Sequence, residues 1–207
     1  MRTTRFAALT VSAVFALAAC GGGDDSGSAA SSPSVSAETS ADAHNAQDVS
    51  FAQGMIPHHQ QAIEMAELAD GRAASAQVKD LAARVEKAQG PEITTMTGWL
   101  KAWDEKVPES MPGMDHSGMD GMDGMDGMDG MAGMMDSADM GKLKKASGKD
   151  FDSMFLTMMV EHHEGAVEMA TTEKAKGEYK AATAMAGDIV TAQNAEISEM
   201  KKLLGEN

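Results

Sequence analysis

From residue 48 onward the apolar positions fall at intervals of three and four. Phe51, Met55, His58, Ala62, Met65 and Ala69 line one face of a predicted helix, with Asp48 as its expected N-cap and Gly71 as its expected stop. A second stripe starts near Ser75 and runs through Val78, Leu81, Val85, Gln89, Met96 and Leu100. The pattern then returns: a helix from about Asp150 to Ala175, a turn near Gly177, and a helix to about Leu204. Pro57 is expected to kink the first helix, because it removes an N–H and crowds the preceding turn. Gly90-Pro91 is expected to bend or interrupt the second.

The return is a repeat. Displaced by 104 positions, Asp48, Phe51, Met55, His58, His59, Ala62, Glu64, Met65 and Ala66 fall on Asp152, Phe155, Met159, His162, His163, Ala166, Glu168, Met169 and Ala170. In the same register Ala88, Gln89, Glu92, Ile93, Met96 and Leu100 fall on Ala192, Gln193, Glu196, Ile197, Met200 and Leu204. Two copies of one helical hairpin, each with an apolar stripe, bury those stripes against each other. The expectation is an all-α four-helix bundle of two αα-hairpins, residues 45–104 and 148–207, joined by a flexible segment, 105–147. The repeat breaks at Pro57/Glu161 and at Gln61/Gly165.

Composition agrees with helix. The 207 residues include 20 Met but only 8 aromatic residues. With 17 Lys and Arg against 32 Asp and Glu, the net charge of −15 argues against a nucleic-acid partner. A single Cys makes neither an internal disulfide nor a thiolate zinc cluster.

That Cys has another use. Arg2 and Arg5 precede the apolar run Phe6 to Ala16, the form of a secretory signal over residues 1–19. Leu17-Ala18-Ala19-Cys20 resembles the lipobox of bacterial lipoproteins, which implies lipidation at Cys20 and a membrane anchor in the cell envelope. An ordinary secretory signal with an incidental Cys is the plainer alternative. Residues 21–44, rich in Gly, Ser, Ala and Asp, then read as a flexible tether.

The run Met55-Ile56-Pro57-His58-His59-Gln60-Gln61-Ala62-Ile63-Glu64-Met65-Ala66, with Ala88-Gln89 and Glu92-Ile93, resembles the bacterial secreted family known as domain of unknown function 305. The resemblance covers both repeats, and implies a ferritin-like bundle of two hairpins, a functional His-His pair and a link to copper. The departures at Glu161 and Gly165 put equivalence of the two His pairs in doubt.

The residues carry that chemistry independently. His58 points into its apolar seam with His59 on the flank, and His162 and His163 repeat the arrangement. Four imidazoles at equivalent seam positions, each within a turn of a Met, suit a metal; hydrogen-bonded core packing is the alternative. Met55 and Met159, three residues before the nearer His, are the candidate thioether ligands, while Met65 and Met169 read as core filling. Gln89, Glu92, Gln193 and Glu196 lie on or beside the second seam of each hairpin, as supports for the His ligands or as plain interhelical hydrogen bonds. Glu64 and Glu168 read as solvated. The sequence argues strongly against a di-iron oxidase, because that site needs Glu-x-x-His on two helices and the chain has none.

The segment between the hairpins is richest in sulfur. Met111, Met114, His116 and Met119 lead into an Asp-Gly-Met repeat bearing Met122, Met125, Met128 and Met131. It resembles the Met-rich segments of bacterial copper-resistance proteins. Cu(I) is soft and takes thioether and imidazole, and Met outside the cytoplasm keeps a soft sulfur that forms no disulfide. Many weak ligands on one tether raise the effective concentration, and the interleaved Asp residues attract cations. A low-complexity spacer or an oxidant sink is the alternative.

The leading expectation is therefore a lipid-anchored extracytoplasmic protein that buffers, sequesters or transfers copper, with Cu(I) favoured, no organic cofactor and a copper-handling protein as partner. A helical interaction module is the alternative from another class, and a metalloenzyme the third, with no acid–base pair visible to support it. Since imidazole must be deprotonated to coordinate, affinity at the His sites is expected to fall below about pH 6.5.

Overall fold

Asn45 begins the first helix by accepting the Gln47 and Asp48 amides on its side chain, and Asp48 returns a bond to the Asn45 amide, a reciprocal capping box. The cap is thus Asn45, three residues earlier than the apolar pattern indicated. In the computed structural model, which describes residues 43–109 and 132–205, the helices are α1 (Ala46–Arg72), α2 (Ala76–Ala102), α3 (Ser137–Leu143), α4 (Gly148–Lys176) and α5 (Lys180–Leu204). Ser75 caps α2 through the Val78 amide. Helix α2 continues through Gly90-Pro91 rather than stopping there, because packing of its apolar stripe on α1 outweighs one lost backbone bond.

Each hairpin zips along its own pair, α1 on α2 and α4 on α5, and the hairpins join chiefly through α1 against α4. Among the described residues no helix is long and apolar enough to cross a membrane. Two apolar clusters result. One gathers the C-terminal half of α1, the N-terminal half of α2 and Phe151 through Val160 of α4, with Ile197 and Met200. The other gathers Phe51 through Ile56, Met96 and Leu100 with Ala166, Ala170 and the N-terminal half of α5. Between them, at mid-height, lie the polar residues of the seams.

The Asp at each repeat's start ties the hairpins together. Asp48 accepts the Glu178 and Tyr179 amides at the α4–α5 turn, and Asp152 accepts the Ala74 and Ser75 amides at the α1–α2 turn, at 3.0 and 2.9 Å. Burial works against the Asp48 carboxylate, but the amides hold its pKa below the usual value. Asp152→Ala leaves two turn amides without this charged acceptor and should cost about 3 kcal/mol in urea unfolding; a loss under about 0.5 kcal/mol would show that the turn stands without it.

Symmetry fails beside Asp48. Glu173, whose counterpart in the first repeat is Ala69, is fully buried with no donor on either carboxyl oxygen. Burial, with the adjacent Asp48 carboxylate, pushes its pKa up to about 8.

The expectation of an unstructured segment over 105–147 is corrected at its C-terminal end. Asp136 caps α3 through the Asp139 amide, and Met140 and Leu143, three residues apart, bury against the first apolar cluster. Between Ala132 and Gly148 the chain packs on both α4 and α1. Lys144 pairs with Glu64 at 2.7 Å, so Glu64 is not merely solvated, and Ala73 bridges Gly148.

Candidate metal centre

The polar layer at mid-height contains all four seam histidines. His58, His59 and His163 are 0% exposed and His162 1%. Because α1 and α4 are the contacting helices, the rings of His58 and His162 meet across the hairpin interface, centroids 3.8 Å apart and tilted 44°. Met55 and Met159 are fully buried, one in each apolar cluster and one turn from its His.

Three of the four rings have a fixed proton. His59 donates from Nε2 to Glu92 Oε2 at 2.7 Å, and His163 from Nε2 to Glu196 Oε2 at 2.8 Å. His58 donates from Nε2 to the Ala132 carbonyl at 3.2 Å, since a carbonyl can only accept. In the neutral His58 ring the proton on Nε2 leaves a lone pair on Nδ1, and the Nδ1 atoms of His58, His59 and His163 are all buried without a partner. Neither nitrogen of His162 has a partner, and the carbonyls of Gln89 and Gln193 are buried and unpartnered as well.

Glu92 and Glu196 thus sit where the sequence placed ligand supports, but each holds the second His of its doublet rather than the first. Gln89 and Gln193 are on the layer with no hydrogen bond to a His. Cys20, Met111, Met114, His116, Met119, Met122, Met125, Met128 and Met131 lie outside the described residues.

Electrostatics follow from burial. Loss of solvent lowers the His58 pKa to about 3, with repulsion from His59 and His163 adding to it and the Ala132 carbonyl opposing. His162 is pushed well below its ordinary value by burial first and by His58, His163 and His59 next. Both rings are neutral at physiological pH, so proton competition at His58 and His162 begins well below the pH 6.5 expected for free imidazole.

Buried lone pairs without donors cost free energy unless something electropositive meets them. A cation does so, and the donor set fits a soft one. Among the described residues no three His, Cys, Asp or Glu side chains stand together as a ready ligand set. Two facing imidazoles suit the low coordination number of a soft monovalent ion better than a harder divalent one.

Sequence reasoning missed two features. The contact of Ala132 with His58 was signalled only by the Gln61/Gly165 break in the repeat. The buried Glu173 was signalled by a carboxylate at a position that is Ala69 in the first copy.

An all-helical bundle of two repeated hairpins, with paired histidines on its central helices, defines the class. The profile of the family described as Domain of unknown function (DUF305) matches residues 48–204, and the chain belongs to that family. It is similar to a DUF305 protein from Streptomyces coelicolor, 33% identical, covering 80% of this chain and 94% of that one with a TM-score of 0.65. It is also similar to CopM, solved in a Cu(II)-bound form, at 35% identity over 76% of this chain and 95% of that one, TM-score 0.61. CopM has also been solved in Cu(I)-bound and silver-bound forms. A DUF305 fragment from Deinococcus radiodurans is 27% identical, over 78% and 97% of the two chains, TM-score 0.64. A comparison with curated proteins finds no match.

Proposed function

We propose that this chain is an extracytoplasmic, lipid-anchored copper-binding protein that buffers, sequesters or hands on copper. Its bundle core takes the ion between His58 and His162, with Met55 and Met159 as thioether donors. The carrying observation is the layer of buried histidine nitrogens without a hydrogen-bond partner at the junction of the two hairpins. His59 and His163, held through Nε2 by Glu92 and Glu196, likewise have buried Nδ1 atoms without a partner. The likeness to CopM, solved with copper and silver, supports the choice of metal. Cu(I) is favoured by ligand softness, and the Met-rich segment adds a weaker reservoir on the same chain. The chain is read as a binder, with copper as its cargo and a copper-handling protein as its partner. Anchoring at Cys20 follows from the lipobox-like Leu17-Ala18-Ala19-Cys20.

The test is a Cu(I) titration of the purified protein against a competing chelator. His58→Ala with His162→Ala should weaken the tightest site by more than about a hundredfold, while helical content is retained. Unchanged affinity in that double variant would refute the core site.

A further inference from the structure

One contact on the histidine layer comes from neither hairpin. The chain reaching the bundle from the Met-rich segment passes over α4 and then α1 at the height of the His58–His162 pair. Gly133, with φ +79°, lies so close to α4 that a Cβ there would stand 2.6 Å from the Glu161 carbonyl. A Cβ at residue 165 would overlap the Ala132 carbonyl, and residue 165 is Gly. Two residues beyond Gly133, Gln61 clamps Met135 in both directions. Its Nε2 donates to the Met135 carbonyl at 2.8 Å, and its Oε1 accepts the Met135 amide at 2.7 Å.

Gln61 and Gly165 are the same position of the repeat. A single chain segment docks only once, so one copy supplies the clamp and the other the clearance. Between them the Ala132 carbonyl meets His58 Nε2. Glu92 and Glu196 perform that service for His59 and His163, and among the described residues His58 alone depends on a backbone carbonyl from outside the four long helices.

Resting on the copper reading above, we propose that residues 132–135 are a positioning strap for the metal centre. The strap holds the His58 proton on Nε2 so that Nδ1 is the ligating atom. A cation on Nδ1 makes the Nε2–H a stronger donor and tightens its bond to Ala132. By linkage, an ion that strengthens the strap contact is bound more tightly because the strap is there. The strap continues directly from Met131, the last Met of the Asp-Gly-Met repeat.

The probe is Ag(I), a redox-inert stand-in for Cu(I), added to the full chain. Three variants separate the effects: Gln61→Ala removes the clamp, Gly165→Ala expels the strap by bulk, and Glu64→Ala cuts the Lys144 ion pair further along the same segment. Imidazole nitrogen shifts should show His58 protonated on Nε2 in the wild type and as a tautomer mixture in the first two variants. Ag(I) affinity at the core should fall about tenfold in those two and stay unchanged in Glu64→Ala. Exchange of the Met135 amide in the wild type should slow about tenfold on Ag(I) loading, a readout that stands even if both strap variants fail to fold. Unchanged Met135 exchange, or wild-type affinity and His58 tautomer in folded strap variants, would overturn the strap. A wild type that takes up no Ag(I) at His58 and His162 would instead overturn the copper reading, and the strap's role in it.

Discussion

Urea unfolding of the metal-free protein should show a stability maximum near pH 6.5, with the two arms traceable to named residues. His58 has a folded pKa of about 3 against 6.5 in the unfolded chain, and His162 is shifted the same way. Below pH 6.5 the unfolded state gains protons that the native rings refuse. Stability from these two residues is fully present above pH 6.5 and is lost as pH falls, at up to about 1.4 kcal/mol per pH unit for each ring. Glu173 acts in the opposite sense. Its pKa rises from 4.5 to about 8, so between those values the native state holds a proton the unfolded state has released. Its contribution therefore declines as pH rises, by at most about 1.4 kcal/mol per unit. From pH 4.5 to 6.5 two rings outweigh one carboxyl; from 6.5 to 8 the carboxyl acts alone. Asp48, with its lowered pKa, enters only below about 3.8. His58→Leu with His162→Leu should flatten the acid arm, and Glu173→Gln the alkaline arm. A stability that climbs steadily from pH 4.5 to 8 would contradict the assignment.

Deleting residues 111–131 should remove most of the Cu(I) capacity and leave the bundle intact. Seven Met residues lie in that stretch, and each thioether binds weakly on its own. The bundle's apolar clusters draw instead on residues 49–107 and 135–204. A chelator titration should therefore lose its many weak equivalents and keep its tightest one. His58→Ala with His162→Ala should keep the weak equivalents and lose the tight one. The residual site should hold its affinity from pH 7.5 down to about 5.5, because neither buried ring takes up a proton in that range. Full Cu(I) capacity after the deletion would remove the segment from the copper account.

Spacing along the chain is enough to give the four long helices and the repeat, and to mark His and Met residues as candidates for metal ligation. Apolar spacing of three and four marks a buried helical face wherever the chain later packs, and a gapless repeat imposes like folds on like sequences. Pro91 shows the converse: local preference is weak beside an extended packed face, so α2 runs through it without interruption. Helix α3 was legible in Asp136, Met140 and Leu143, but about two turns give too short a period to stand out from a Gly-rich segment.

Only the tertiary structure decided which histidines face each other. Placing α1 against α4 brings His58 to His162, although the doublets are 104 residues apart, and turns four separately readable side chains into one buried layer. It also decided that Glu92 and Glu196 serve His59 and His163, since that pairing depends on how each hairpin folds about its turn. The Gln61/Gly165 mismatch was visible as a break in the repeat but had no meaning until Ala132 was seen lying between the two positions. Periodicity records which face of a helix is buried. What that face meets, and which buried lone pair is left without a donor, is a property of elements distant in the chain, set when the two hairpins close on each other.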